Sequence, residues 1–128
     1  MMSKVVLDAS ALLALLHQES GSEQVAAQIE QSVICAVNYA EIVSKLSEKG
    51  MSLSTIQELF TLLPLNIIDF DARLAFLAGE LRIPTRSFGL SLGDRACLAT
   101  GKILGLPVMT ADKNWLKVSI GVEIWCIR

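Results

Sequence analysis

Gly89-Leu90-Ser91-Leu92-Gly93-Asp94-Arg95 joins a flexible loop to a long apolar helix and sets a carboxylate at the join. Ser91 and Asp94 have the spacing of a capping box with Asp in place of Glu, so helix entry alone accounts for both residues. The same setting recurs at Asp8, Glu41 and Asp112, each just after a short apolar run and at the start of a helical pattern. A carboxylate there satisfies free backbone N–H groups and matches the helix dipole, which explains each acid singly. Caps need not converge, whereas the strand ends of one sheet bring such acids together. The layout of the elements therefore decides between the two readings.

Apolar, β-branched runs at 4–8, 33–37, 65–70, 106–110 and 122–127 read as strands. Helices are expected at 9–16, at 23–31 with Ser22 as cap, and from Asn38 to the stop at Gly50. Further helices are expected from a Ser52 or Ser54 cap to 63, over 71–81, over 91–104 and briefly over 112–117, with 85–89 a polar loop. Continuously apolar strands alternating with helices specify an α/β, three-layer fold, a five-stranded parallel sheet covered on both faces. With 128 residues and 52% hydrophobic content, the chain reads as a single domain over 1–128. Open sheets of this kind bind ligands beyond the carboxyl ends of the strands, where strand order reverses. Asp8, Glu41 and Asp112 follow the first, second and fourth strands, so they are expected at that edge.

The net charge of -2 hides an asymmetry. Residues 1–70 carry 3 Lys+Arg against 8 Asp+Glu, and residues 71–128 carry 8 against 5. That leaves room for a polyanionic partner on the second half, and solvated charges explain it equally well. Cys35, Cys97 and Cys126 are odd in number, far apart and set among aliphatics, which excludes a disulfide framework or a CxxC metal site and reads as buried thiols in a reducing compartment. Asp8 breaks the N-terminal apolar run, and no stretch approaches the ~20 residues of a membrane span. A soluble cytoplasmic protein is expected.

Clustered carboxylates raise one another's pKa unless a cation neutralises them, so convergence of these acids implies a bound ion. Oxygen ligands without a His or Cys partner suit a hard ion, Mg²⁺ or Mn²⁺. Such a site supports phosphodiester hydrolysis without a nucleophilic side chain. His17, the single histidine, falls at a helix end, so no Ser-His-Asp or Cys-His arrangement is available. Ser10 and Thr110 lie two residues from Asp8 and Asp112 and can orient an acid or cap a turn; Asn38 can line the pocket or cap its helix. Arg86, Arg95 and Lys113 are candidate phosphate contacts, with Arg95 alternatively paired to Asp94. Trp115 can stack on a base or cover the sheet, and Trp125 is expected in the core. The Leu12, Leu13, Leu16 and Ile56, Leu59, Phe60, Leu63 rows exceed what one small core buries, which suggests a dimer or partner groove.

Taken together, Val6-Leu7-Asp8-Ala9-Ser10-Ala11, Asn38-Tyr39-Ala40-Glu41, Gly89 to Ala96 and Val108-Met109-Thr110-Ala111-Asp112 resemble a PIN-domain protein of the VapC-like toxin type, over nearly the whole chain. The resemblance implies a PIN fold and a Mg²⁺- or Mn²⁺-dependent endoribonuclease, the toxin of a type II toxin–antitoxin pair. By motif position Asp8 and Asp94 are similar to the principal metal ligands and Glu41 and Asp112 to the third and fourth acids. Asn38, Ser10 and Thr110 match the supporting polar residues. The resemblance also implies a homodimer and a cognate antitoxin that occupies the acidic pocket. A PIN-fold RNA- or metal-binding module without turnover is the alternative, and its marker, a missing motif acid, is absent. A small-molecule phosphohydrolase on a similar sheet would need a second acid two residues after Asp8, where this chain has Ser10.

Overall fold

Alternation along the strands sorts the core into two layers, because successive strand side chains point to opposite faces. In β1 (Val5–Leu7), Val5 and Leu7 belong to one buried cluster and Val6 to the other. β2 (Ser32–Cys35) divides in the same way, with Ile34 beside Val5 and Leu7 and Val33 beside Val6. Three further strands, β3 (Asn66–Ile68), β4 (Val108–Thr110) and β5 (Ile124–Cys126), complete an all-parallel sheet in the order β3-β2-β1-β4-β5. This is a computed structural model, and it describes residues 3–128.

One face is covered by α1 (Ala9–Leu16), α2 (Ser22–Gln28), α3 (Ala36–Glu48) and α4 (Leu53–Leu62), through Leu12, Val25, Ile42, Leu46 and Ile56. On the other lie α5 (Ala72–Glu80) and, after the short α6 (Arg82–Thr85), α7 (Leu92–Leu104), through Leu74, Ala78, Cys97, Leu98 and Ala99. The three-layer α/β arrangement expected from the sequence is the one found. The chain winds from β1 outward to β3, then crosses to β4 on the other flank of β1. Strand order reverses between β1 and β4, so the crevice at their carboxyl ends is the place where such a sheet takes a ligand.

Helix α7 reaches the sheet closely because its residues there are small. A Cβ on Gly101 would sit 2.5 Å from Val108 Cγ2 and 3.1 Å from the Leu106 carbonyl oxygen. Gly101→Ala is therefore expected to cost about 1–3 kcal/mol through overpacking, read as a lower Tm in thermal unfolding; an unchanged Tm would show that the strand yields.

Several boundaries differ from those the sequence predicts. β2 ends at Cys35, and Ala36 and Val37 already belong to α3. Ser22 is the first residue of α2 and not its cap, which is Gly21 in the left-handed region at φ 93°. The loop expected at 85–89 is the end of α6 and a 3-10 turn, Arg86–Phe88. Thr85 Oγ1 donates to the Leu81 carbonyl at 2.6 Å, and Pro84 falls in a first turn, where a missing N–H is tolerated. The strands β3, β4 and β5 are shorter than predicted because their flanking apolar residues, such as Phe70 and Val122, pack on the cluster without joining the ladder.

Trp125 is only half-buried, on a strand at the sheet edge, whereas Trp115 is fully buried. Cys35 and Cys97 are buried as expected and Cys126 is partly exposed. Leu12, Leu13 and Ile56 find places in the core, and Leu16, Leu59, Phe60 and Leu63 pack against it. The surplus apolar surface lies instead on Leu53 and Leu62 of α4, 63% and 81% exposed, and on Phe76 of α5, 72% exposed. No helix among the described residues is long and apolar enough to cross a membrane.

Candidate active site

Asp8 leaves β1 at the point of strand reversal and caps α1, its Oδ1 accepting from the Ala11 N–H at 2.8 Å. The Ser10 hydroxyl donates to the same carboxylate at 2.7 Å, and Thr110, at the end of β4, donates to Oδ2 at 2.6 Å. Ser10 and Thr110 are themselves tied to the next loop, accepting from the Ala111 and Asp112 N–H groups at 2.9 and 3.1 Å. Both hydroxyls thus orient an acid and brace a turn, the two roles the sequence left open.

Burial lifts the Asp8 carboxyl from 3.8 to about 6. The hydrogen bonds from Thr110, Ala11 and Ser10 oppose that rise, and the Asp94 carboxylate adds to it. A fixed carboxylate held almost out of water beside a like charge is a group that a cation would relieve.

Asp94 sits in the first turn of α7, and the capping box read from the sequence is formed. Asp94 N–H donates to Ser91 Oγ at 3.1 Å, and Asp94 Oδ2 accepts from Ser91 N–H at 3.0 Å. Glu41 lies inside α3 rather than at its entry, since that helix begins at Ala36. Asn38, one of whose two expected roles was to cap this helix, does not cap it. Freed from capping, the buried Asn38 side chain donates from Nδ2 to Glu41 Oε1 at 2.8 Å and to the Gly93 carbonyl at 3.0 Å, joining α3 to α7. Asp112 caps a 3-10 turn, Lys113–Lys117, its Oδ1 accepting from Asn114 N–H at 2.9 Å.

Asp8, Glu41, Asp94 and Asp112 all line one cavity of about 130 Å³, with Ala9, Ser10, Asn38, Lys45 and Trp115. That is room for several waters, and so for a hydrated ion. Each of Glu41, Asp94 and Asp112 has one oxygen held by a donor; Glu41 Oε2, Asp94 Oδ1 and Asp112 Oδ2 have no hydrogen-bond donor among the described residues. Asn38 Oδ1 is buried with no partner. The donor set is all oxygen and has spare acceptor capacity, which fits a hard divalent cation. No three acid, His or Cys side chains among the described residues are closed around one point, so ligation would require the free oxygens to turn inward.

The remaining candidates lie elsewhere. Arg95 does not pair with Asp94: its Nη1 donates to the Ala78 carbonyl at 2.9 Å, against α5. Arg86 and Lys113 are exposed and do not line the cavity. His17 is at the exposed end of α1, 3.5 Å from Lys49 Nζ. Trp115 lines the cavity but is 1% exposed, so its ring is wall and not a platform for a base. Sequence reasoning missed Lys45 at this cavity, although Glu41-x-x-x-Lys45 puts the two side chains on one helix face.

A family model for the PIN domain matches residues 5–121. The chain belongs to the PIN domain family. No curated protein matches it significantly in sequence. Among solved structures, this PIN domain is similar to a DNA-bound VapBC from Salmonella typhimurium at TM-score 0.76 and 17% identity, over 99% of this chain and 100% of that one. It is similar to a toxin–antitoxin complex from Klebsiella pneumoniae at TM-score 0.70 and 22% identity, over 94% and 100%. Mycobacterium tuberculosis VapC20, a toxin that cleaves the sarcin–ricin loop, gives TM-score 0.73 at 12% identity, over 94% and 99%. At these identities the likeness concerns the PIN fold.

Proposed function

We propose that this PIN domain is a Mg²⁺- or Mn²⁺-dependent endoribonuclease acting as the toxin of a toxin–antitoxin pair. The observation that carries the reading is the set of four carboxylates lining one small cavity at the strand reversal, with Asp8 almost fully buried. Asp8 provides the fixed anionic floor, held by Ser10, Thr110 and the Ala11 N–H. Glu41, steered by Asn38, and Asp94, anchored by its cap, supply side walls with one free oxygen each. Asp112 does the same from the opposite loop. When bound, a divalent cation supplies Lewis acidity at the phosphoryl group and acidifies the attacking water. The free carboxylate oxygens can hold that water and take its proton, a role no histidine near the cavity fills.

The proposal includes a homodimer and a cognate antitoxin. It is supported by the exposed Leu53, Leu62 and Phe76, which leave apolar faces on α4 and α5. Sedimentation of a monomer at micromolar concentration would count against the dimer.

The decisive experiment incubates the purified chain with total RNA in Mg²⁺ or Mn²⁺ and sequences the new RNA ends. Cleavage at defined sites is expected, stopping on addition of EDTA and returning with excess Mn²⁺. Cleavage that persists in EDTA would overturn the metal-dependent reading, and none under any condition would overturn the nuclease reading.

A further inference from the structure

Lys45 is the only cation lining the acidic cavity among the described residues. It stands one helical turn beyond Glu41 on α3, so Asn38, Glu41 and Lys45 form one stripe down the helix toward the cavity. A lysine four residues after a glutamate is placed to form an ion pair with it. Here no ion pair within 4.0 Å joins Lys45 to Glu41 or to any other acid among the described residues, Arg128–Glu19 being the pair that forms. The Glu41 carboxylate is instead held by Asn38 at 2.8 Å. The lysine is exposed and extends the cavity outward from its buried floor at Asp8.

The cations that the sequence offered for phosphate binding do not do this. Arg95 is committed to the Ala78 carbonyl, and Arg86 and Lys113 are outside the lining. Among the charged residues that line this cavity, a polyanion meets four carboxylates and one cation, Lys45.

We infer that Lys45 is a substrate-binding residue that holds an RNA backbone phosphate at the mouth of the acidic cavity. The inference rests on the nuclease reading above and adds the residue that sets the strand's register against the carboxylates. Lysine suits the task as a point charge on a long flexible stem, able to meet a phosphate without dictating base identity. Its absence should weaken binding of the strand and leave the reacting geometry in place.

The test compares wild type with Lys45→Gln and Lys45→Arg, both at an exposed position. Binding of a short, fluorescein-labelled single-stranded RNA of mixed sequence is followed by anisotropy in Ca²⁺ across a salt series. Cleavage kinetics are measured separately in Mg²⁺. Lys45→Gln is expected to raise Kd and KM about fivefold to tenfold with kcat nearly unchanged. It should also flatten the slope of log K against log salt by about 0.7, the loss of one phosphate contact on a single strand. Lys45→Arg should restore both. An unchanged slope in Lys45→Gln, or a fall in kcat with KM intact, overturns the assignment. If wild type binds RNA with a Lys45-dependent slope but does not cleave it, the nuclease reading fails and the phosphate contact stands. If wild type cleaves and Lys45→Gln matches it, the reverse holds; if wild type neither binds nor cleaves, both fall.

Discussion

Asp8→Asn is expected to lower RNA cleavage on the order of a thousandfold while raising the thermal stability of the metal-free protein. The opposite signs have one cause. The folded chain holds the Asp8 carboxyl at about 6 against an ordinary value of 3.8. A carboxyl whose pKa is raised on folding favours the protonated form in the fold, so its ionisation costs stability above the folded pKa. That cost is fully present above pH 6, shrinks as pH falls from about 6 to 4, and is absent below the unfolded value. The corresponding free energy is about 3 kcal/mol at neutral pH. Asparagine has nearly the same shape and no charge. It can accept from Ala11 and Ser10 through its carbonyl oxygen, and the Thr110 hydroxyl can turn to accept from its amide.

Thermal melts in EDTA should therefore show Asp8→Asn above wild type at about pH 7, with the gap closing toward pH 4. Adding Mn²⁺ should raise the Tm of wild type and leave Asp8→Asn unmoved, because only the wild type gains a ligand that binds the folded state. A Tm for Asp8→Asn below wild type at neutral pH would mean that the hydrogen bonds at Asp8 outweigh its burial. Undiminished cleavage would remove Asp8 from the site altogether.

Gly93→Ala should produce the second large effect with little change in fold. A Cβ at Gly93 would lie 2.6 Å from Glu41 Oε1, 2.7 Å from Oε2 and 2.8 Å from Cδ. Those atoms are the end of a flexible side chain, so the conflict resolves by moving the Glu41 carboxylate and not the backbone. Moving it breaks the bond from Asn38 and takes a carboxylate out of line with Asp94, one residue along α7. A displacement of this size costs on the order of a hundredfold in rate. The Tm should change by less than that of Gly101→Ala, where the obstacle includes backbone. Since both act through one carboxylate, Gly93→Ala combined with Glu41→Ala should be no worse than Glu41→Ala alone. Additive losses would show that Gly93 serves some other purpose.

The sheet and both helical layers were legible because continuous aliphatic runs and 3.6-residue stripes carry the burial signal directly. Asp8, Asp94 and Asp112 were legible for a related reason: Asp8 and Asp112 are caps, Asp94 is the inner member of a capping box, and caps are written locally. Glu41 was found by its residues but given the wrong local role. α3 starts two residues before Asn38, with no side-chain cap at Cys35, so the sequence offers nothing that marks its first turn. The use of Arg95 was misread because its partner is a backbone carbonyl of α5, which leaves no trace in the residue type. For Trp115 the sequence leaves open stacking on a base or covering the sheet; its burial in the core cluster fits the second, and periodicity over so short a 3-10 turn cannot tell the two apart.

The bonds that hold the cavity together span long stretches of chain: Thr110 to Asp8 across 102 positions and Asn38 to Gly93 across 55. Loop closures of that length come late in folding, after local helices have formed. A nascent chain that has not yet paired β4 with β1 thus has its acids on separate, unconnected elements. Every incomplete translation product that stops before Val108 lacks the Thr110 hydroxyl that holds Asp8 and the Asp112 carboxylate, so on the reading proposed here the activity arrives with the last strands and not by degrees.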